Sequence, residues 1–180
     1  MNIKQELFDK ALKYILHFEG VYSNDPDDPG GETFLGIARN YHPNADVWKI
    51  FDSNKQKYIY ADLKEIYADF IFNYVKEFYY NEFFIPLKMD EIPESVIPIY
   101  FDTSINTGIS RAKKILQNAV GAKPDGIIGP NTIKSINETK CIYEKFKLAR
   151  IEFYTDLVSK NSKYKKYLLG WINRVLKFEI

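Results

Sequence analysis

The residues best suited to chemistry cluster near the start of the chain: Glu19, followed by Asp25, Asp27, Asp28 and Glu32. Paired carboxyl groups flanking a glycosidic bond are the working parts of most glycoside hydrolases. One is the general acid, the other a base or nucleophile. Glu19 has the features of the acid. It follows residues 4–18, where Leu7, Phe8, Ala11, Leu12, Ile15 and Leu16 share one stripe at helical spacing. A helix C-terminus carries partial negative charge, and Phe18, Val21 and Tyr22 are apolar or aromatic neighbours. Both conditions disfavour the ionised carboxylate and keep a proton available near neutrality. The later acids lie in Ser23-Asn24-Asp25-Pro26-Asp27-Asp28-Pro29-Gly30-Gly31, a run too dense in turn formers to be helical and able to fold back over the helix end. Plainer readings stand beside this one. Glu19 is then a solvated helix-end residue, the loop aspartates accept backbone N–H groups in turns, or the acids hold calcium, although their spacing is not that of an EF-hand.

The elements that must position these residues are mostly helical. Residues 33–37 suggest a short strand or extended return stretch. Tyr58, Ile59, Leu63, Ile66, Tyr67, Phe70, Ile71, Tyr74 and Val75 predict one long helix over 55–84, ended by Pro86. Further helices are expected at 95–107 (stopped by Gly108), 111–120 (capped by Ser110, closed by Gly121), 131–137 (capped by Asn131), 140–159 and 163–177. Lys123 to Pro130 predicts a compact turn or small hairpin. There is no repeat, low-complexity tract or clear linker.

Composition narrows the function classes. The 180 residues suffice for one sizeable core, and 46% are hydrophobic, which excludes disorder as the expectation. The 14 Tyr and 13 Phe suit buried rings with wet polar tips, and equally a cleft that stacks on sugar faces. No apolar run approaches the roughly 18 residues of a membrane span, so no stable membrane insertion is expected. Glu6 and Asp9 lead into an amphipathic pattern, so no secretory signal is expected. One cysteine, Cys141, and two histidines give no internal disulfide and no histidine metal site, as expected of a chain folded in a reducing compartment. The net charge of +1 conceals an asymmetry. Residues 1–139 carry 15 basic and 20 acidic residues, a net of −5, whereas residues 140–180 carry 10 and 4, a net of +6. The basic end is a solvated face or a seat for an anionic partner. Near-neutral total charge and the lack of a binding motif argue against nucleic acid.

The run Glu19-Gly20-Val21-Tyr22-Ser23-Asn24-Asp25-Pro26-Asp27-Asp28-Pro29-Gly30-Gly31-Glu32-Thr33, followed by Gly36-Ile37, resembles the opening of glycoside hydrolase family 108. These are N-acetylmuramidases of the lysozyme superfamily, found as phage endolysins and bacterial secretion-activator-like proteins. The resemblance continues through Phe78-Tyr79-Tyr80, Phe83-Phe84-Ile85-Pro86, Phe101-Asp102, Asn106-Thr107-Gly108, Arg111 to Ala119, and Asp125-Gly126-Ile127-Ile128-Gly129-Pro130-Asn131-Thr132. It ends with Arg150, Phe153-Tyr154 and Gly170 to Arg174, so it covers nearly the whole chain. Val21 departs from the family's glycine.

The resemblance implies a mainly α, lysozyme-like fold with a Pro/Gly-rich active-site loop. It implies a catalytic region at 1–108 and a helical, peptidoglycan-binding-like region at 109–180, packed into the same globule. The family's catalytic glutamate falls on Glu19. Asp28, preferred over Asp25, and Thr33 correspond to the Asp and Thr that place water in phage-type lysozymes. Tyr22, Asp25, Tyr79, Tyr80, Asp102 and Asn106 are candidate substrate contacts. For Asp102 a buried structural role is the favoured alternative, and for the tyrosines core packing is an equal one. The expected substrate is the β-1,4 bond between N-acetylmuramic acid and N-acetylglucosamine in bacterial peptidoglycan, cut without cofactor or metal by a monomer. The chain is expected in the cytoplasm when made, reaching the wall through a phage holin pore. The rivals are a non-catalytic wall-binding protein and a lytic transglycosylase, since the fold class hosts more than one outcome.

Overall fold

The computed structural model describes residues 3–24 and 30–178, apart from the side chains of Phe18 and Glu19. Helix α1 (Ile3–Glu19) leads into a small antiparallel sheet of β1 (Tyr22–Asn24), β2 (Glu32–Phe34) and β3 (Ile37–Ala38). Then come α2 (Asp46–Ser53), α3 (Lys55–Tyr58), α4 (Leu63–Ala68), α5 (Ile71–Tyr79) and a π-helical turn, Tyr80–Phe84. The rest is helical: α6 (Ile97–Thr107), α7 (Ile109–Ala119), α8 (Pro130–Glu138), α9 (Ile142–Lys160) and α10 (Lys165–Leu176). The protein is mainly α, as the sequence predicts.

Local chemistry explains where the elements differ from expectation. The long helix predicted over 55–84 is three helices and a turn. Asp62 breaks it with a capping box: its side chain accepts from the Glu65 backbone N–H, while the Glu65 carboxylate accepts from that of Asp62. Asp69 breaks it again, accepting from the Ile71 N–H at 2.9 Å and the Tyr58 hydroxyl at 3.1 Å. Helix α2 was not anticipated. Ser110 lies inside α7, whose cap is Gly108, and α8 is capped by Gly129 with Pro130 in its first turn, not by Asn131. Residues 123–129 form a turn with no strand. Buried Gln117 holds that turn. Its amide donates to Asp125 Oδ1 (2.8 Å), Ile127 O (3.1 Å) and Thr132 Oγ1 (3.2 Å), and its carbonyl accepts from the Gly126 N–H (2.7 Å).

The chain divides into two compact units. One comprises residues 12–82. Its core is a ring ladder on one side of the sheet: Tyr22 stacks on Phe51 at 5.5 Å, and Phe34 meets Phe51 at 4.9 Å and Tyr58 at 6.0 Å. The other comprises the start of α1 and residues 83 onwards. At its centre lies α6, buried from Ile97 to Ser104. The expected division at 108/109 falls inside this unit, between α6 and α7, which pack together.

Asp102 of α6 has no exposed surface. Arg150 of α9, also fully buried, donates to its Oδ2 at 2.7 Å, and Arg174 of α10 donates to its Oδ1 at 2.6 Å. Three hydroxyls of α6 are satisfied by their own helix: Thr103, Ser104 and Thr107 donate to the carbonyls of Ile99, Phe101 and Thr103. Removing the charge of Asp102 leaves Arg150 buried without a counter-ion, which costs about 3–5 kcal/mol. Asp102→Asn should therefore lower stability by roughly that amount in urea titration. Arg174→Ala should cost less, because Arg174 is partly exposed and Arg150 stays paired. A loss under about 1 kcal/mol for Asp102→Asn would contradict the assignment.

Candidate functional site

Glu19 is the last residue of α1, and Gly20 follows at φ 76°. That left-handed residue ends the helix and turns the chain into β1. The Asp25 and Asp28 candidates lie outside the described residues, in the connection between β1 and β2. The strands that bracket them are paired: Tyr22 with Phe34, Ser23 with Thr33, Asn24 with Glu32. The hairpin thus returns Thr33 to a position opposite Ser23, four residues beyond Glu19.

Strand alternation sorts the side chains. Tyr22, Glu32, Phe34 and Ile37 belong to one face, which is packed on rings. Ser23, Thr33 and Ala38 belong to the other, since Thr33 pairs with both Ser23 and Ala38. That second face carries small and polar groups, with Ser23 exposed and Thr33 half-buried. Among the described residues the Thr33 hydroxyl makes a single long contact, to Gly31 O at 3.4 Å. Val21, where the family has glycine, is not left-handed, and its carbonyl accepts from the Leu35 N–H at 2.8 Å, so a side chain is accommodated there.

The turn from β2 to β3 is tight. Leu35 and Gly36 both have positive φ, 49° and 76°, as a two-residue hairpin loop with the right twist requires. Glycine takes this conformation freely; leucine does not. Tyr79, buried in α5, donates its hydroxyl to Leu35 O at 2.8 Å and helps hold the strained residue. Gly31 is equally constrained: φ is 65°, and a Cβ there would stand 2.7 Å from Asn40 Nδ2.

Behind the ring-packed face lies an ion network. Glu32 accepts from Tyr22 OH (2.8 Å) and Arg39 Nε (2.6 Å), and Lys55 pairs with it at 2.6 Å. Arg39 also grips Asp52 at 2.6 Å and lies 4.0 Å over the Trp48 ring. Burial pushes the Glu32 carboxyl up, but Lys55, Tyr22 and Arg39 outweigh it and hold it below its ordinary range. Arg39 likewise holds Asp52 low. Burial and Asp69 push the Tyr58 phenol up to about 12.

The sequence candidates are therefore distributed as follows. Thr33 lies on the hairpin that follows Glu19. Tyr22 is half-buried, stacked on Phe51 and bonded to Glu32, and Tyr79 is buried; both are placed as packing residues. Tyr80 is half-buried at the start of the π-helical turn. Asp102 is enclosed by two arginines, which favours its structural reading over substrate contact. Asn106 is exposed on the last turn of α6 and donates to Asp102 O at 2.7 Å. Sequence reasoning missed the Tyr79 clamp and the Arg39 hub. Only the Leu-Gly pair, an unusual hairpin turn, hinted at the first.

The lowered carboxyls fix a pH dependence. Their stabilisation is complete above the ordinary carboxylate range and is lost as pH falls through their depressed native values. The melting temperature should therefore drop below about pH 4, and Glu32→Gln should flatten that acid limb while lowering the neutral plateau. An unchanged acid limb in the variant would contradict the network's role.

Three comparisons place this geometry. Residues 12–108 match the glycosyl hydrolase 108 family model, and residues 111–176 match a predicted peptidoglycan domain. The solved structure of Brucella abortus SagA is similar over 94% of this chain and 90% of that one, at 23% identity and a TM-score of 0.63, a likeness of fold. No curated protein matches the chain. A lysozyme-like helical fold, a hydrolase segment and a peptidoglycan domain in that order make this a glycoside hydrolase that acts on peptidoglycan. With more than half of its length in the match, the chain belongs to glycosyl hydrolase family 108.

Proposed function

We propose that the protein is an N-acetylmuramidase, hydrolysing the β-1,4 bond between N-acetylmuramic acid and N-acetylglucosamine, with Glu19 as general acid. The observation that carries this is the position of Glu19: last residue of α1, inside the hydrolase match, one residue before the left-handed Gly20 and three before the hairpin. A carboxyl group at the negative end of a helix holds its proton more readily than one in water, as a general acid requires.

Protonated Glu19 donates to the leaving oxygen as the bond breaks, and positive charge develops at the anomeric carbon. Asp28 stabilises that charge or activates the attacking water, with Thr33 fixing the water. Thr33 suits this role because it stands on the polar face of the hairpin. Asp25 and the exposed Asn106 contribute substrate contacts, and Tyr80 stacks on a sugar ring. The product is a strand with a reducing muramic acid end. A phage or prophage lysis enzyme, made in the cytoplasm and released through a holin pore, is the setting that fits such an activity.

The test digests purified peptidoglycan with the wild type and Glu19→Gln, reduces the soluble products with borohydride, and reads them by mass spectrometry. Reduced muramic acid ends are expected from the wild type, with release lowered roughly 10²–10⁴-fold in the variant and its circular dichroism unchanged. Reduced glucosamine ends would reassign the bond, anhydro ends would make the enzyme a lytic transglycosylase, and full activity in Glu19→Gln would remove Glu19 from the chemistry.

A further inference from the structure

The outer side of α10 is set by how its inner side packs. Trp171 stacks on Tyr154 of α9 at 4.9 Å, Val175 and Phe178 are buried, and Tyr143 donates to Phe178 O at 2.7 Å. At about 100° per residue, Lys165, Leu169 and Leu176 then form one outward stripe. Lys166, Gly170, Asn173 and Lys177 form the stripe beside it. Leu169 is 71% exposed and Leu176 55%. The approach to the helix continues the pattern. Residues 160–167 are all exposed and carry Lys160, Lys163, Lys165 and Lys166 with Tyr164 and Tyr167.

No acidic residue occurs between 157 and 178. Among the described residues none of Lys160, Lys163, Lys165, Lys166 and Lys177 forms an ion pair. The surface thus interleaves unneutralised cations with exposed leucines and tyrosines. A phosphate-rich polymer answers the lysines but leaves the leucines in water. A neutral glycan answers the rings but not the charge. Stacking of nucleic acid bases needs open ring faces, whereas Trp171 is flanked by Tyr154 and, at 5.8 Å, by Tyr167, and Lys166 lies 4.8 Å over the Tyr167 ring. An anionic bilayer answers both features. Its phosphates receive the lysines, its interfacial hydrocarbon receives the leucines, and tyrosine sits at headgroup depth. Among the described residues no helix is long and apolar enough to cross a membrane, so such contact is peripheral.

We infer that the outer face of α10, with residues 160–164 before it, docks on the surface of an anionic lipid bilayer. This would hold the enzyme beside the wall it degrades, whichever glycosidic bond it cuts. Sedimentation of the full chain with vesicles tests it. The wild type should co-sediment with vesicles of equal parts phosphatidylglycerol and phosphatidylcholine, not with pure phosphatidylcholine, and added salt should weaken the binding. Leu169→Ser with Leu176→Ser, and separately Lys163→Glu with Lys166→Glu, should each weaken it about tenfold or more. Both double variants should keep the wild-type circular dichroism and the hydrolysis of soluble wall fragments. The inference fails if the anionic vesicles are not bound, or if neutral vesicles bind equally well. It also fails if the lysine changes abolish binding while the leucine changes leave it intact, the behaviour of a site for a soluble polyphosphate.

Discussion

A carboxylate with no exposed surface must be neutralised where it stands, and Asp102 obtains both of its cations from far along the chain. Arg150 is 48 residues away and Arg174 is 72. Both ion pairs form only once α6, α9 and α10 are all in place. Asp102 lies in the hydrolase match, while both arginines lie in the peptidoglycan-domain match. The boundary between the two matches is not a boundary in the structure, for residues 83 onwards form one compact unit. What looks like a binding module appended to an enzyme is, around α6, the other half of the same core. The Asp125–Thr132 turn follows the same logic: its polar groups are taken up internally by Gln117.

The unit of residues 12–82 solves a different problem, that of holding a short hairpin rigid next to a helix end. Three strands of two or three residues have little pairing of their own. Rings on one face, the Glu32–Arg39–Asp52 network and the Tyr79 clamp on Leu35 supply the rigidity. The opposite face carries the small side chains of Ser23, Thr33 and Ala38. Conformational strain at Leu35 is tolerated because the surrounding contacts over-determine it.

Much of this was legible in the sequence, and the reasons for the exceptions are physical. Helix α1, the stop at Gly108 and the final helices follow from apolar periodicity and glycine. The Glu-Gly run and its loop identified the family. The merged helix over 55–84 failed because apolar spacing continues through Asp62 and Asp69, where side-chain caps restart the backbone; the Asp-x-x-Glu signature at 62–65 was the available signal. For Tyr79 sugar stacking and core packing stay equal readings in the sequence, because a tyrosine's sequence neighbours do not reveal a carbonyl 44 residues away. The partners of Asp102 were invisible for the same reason, although burial itself was the favoured alternative.

The end of the hydrolase match, α6, shares the core around Asp102 with the helices of the peptidoglycan-domain match. Native-state hydrogen exchange on the full chain tests it most directly, by comparing slow amides of α6 with those of α9 and α10. A shared core predicts that all three helices exchange through one opening of common free energy, and shift together when Arg174 is replaced. Exchange of α9 and α10 through a separate, lower-energy opening that leaves α6 protected would show instead that the C-terminal segment is an independent module.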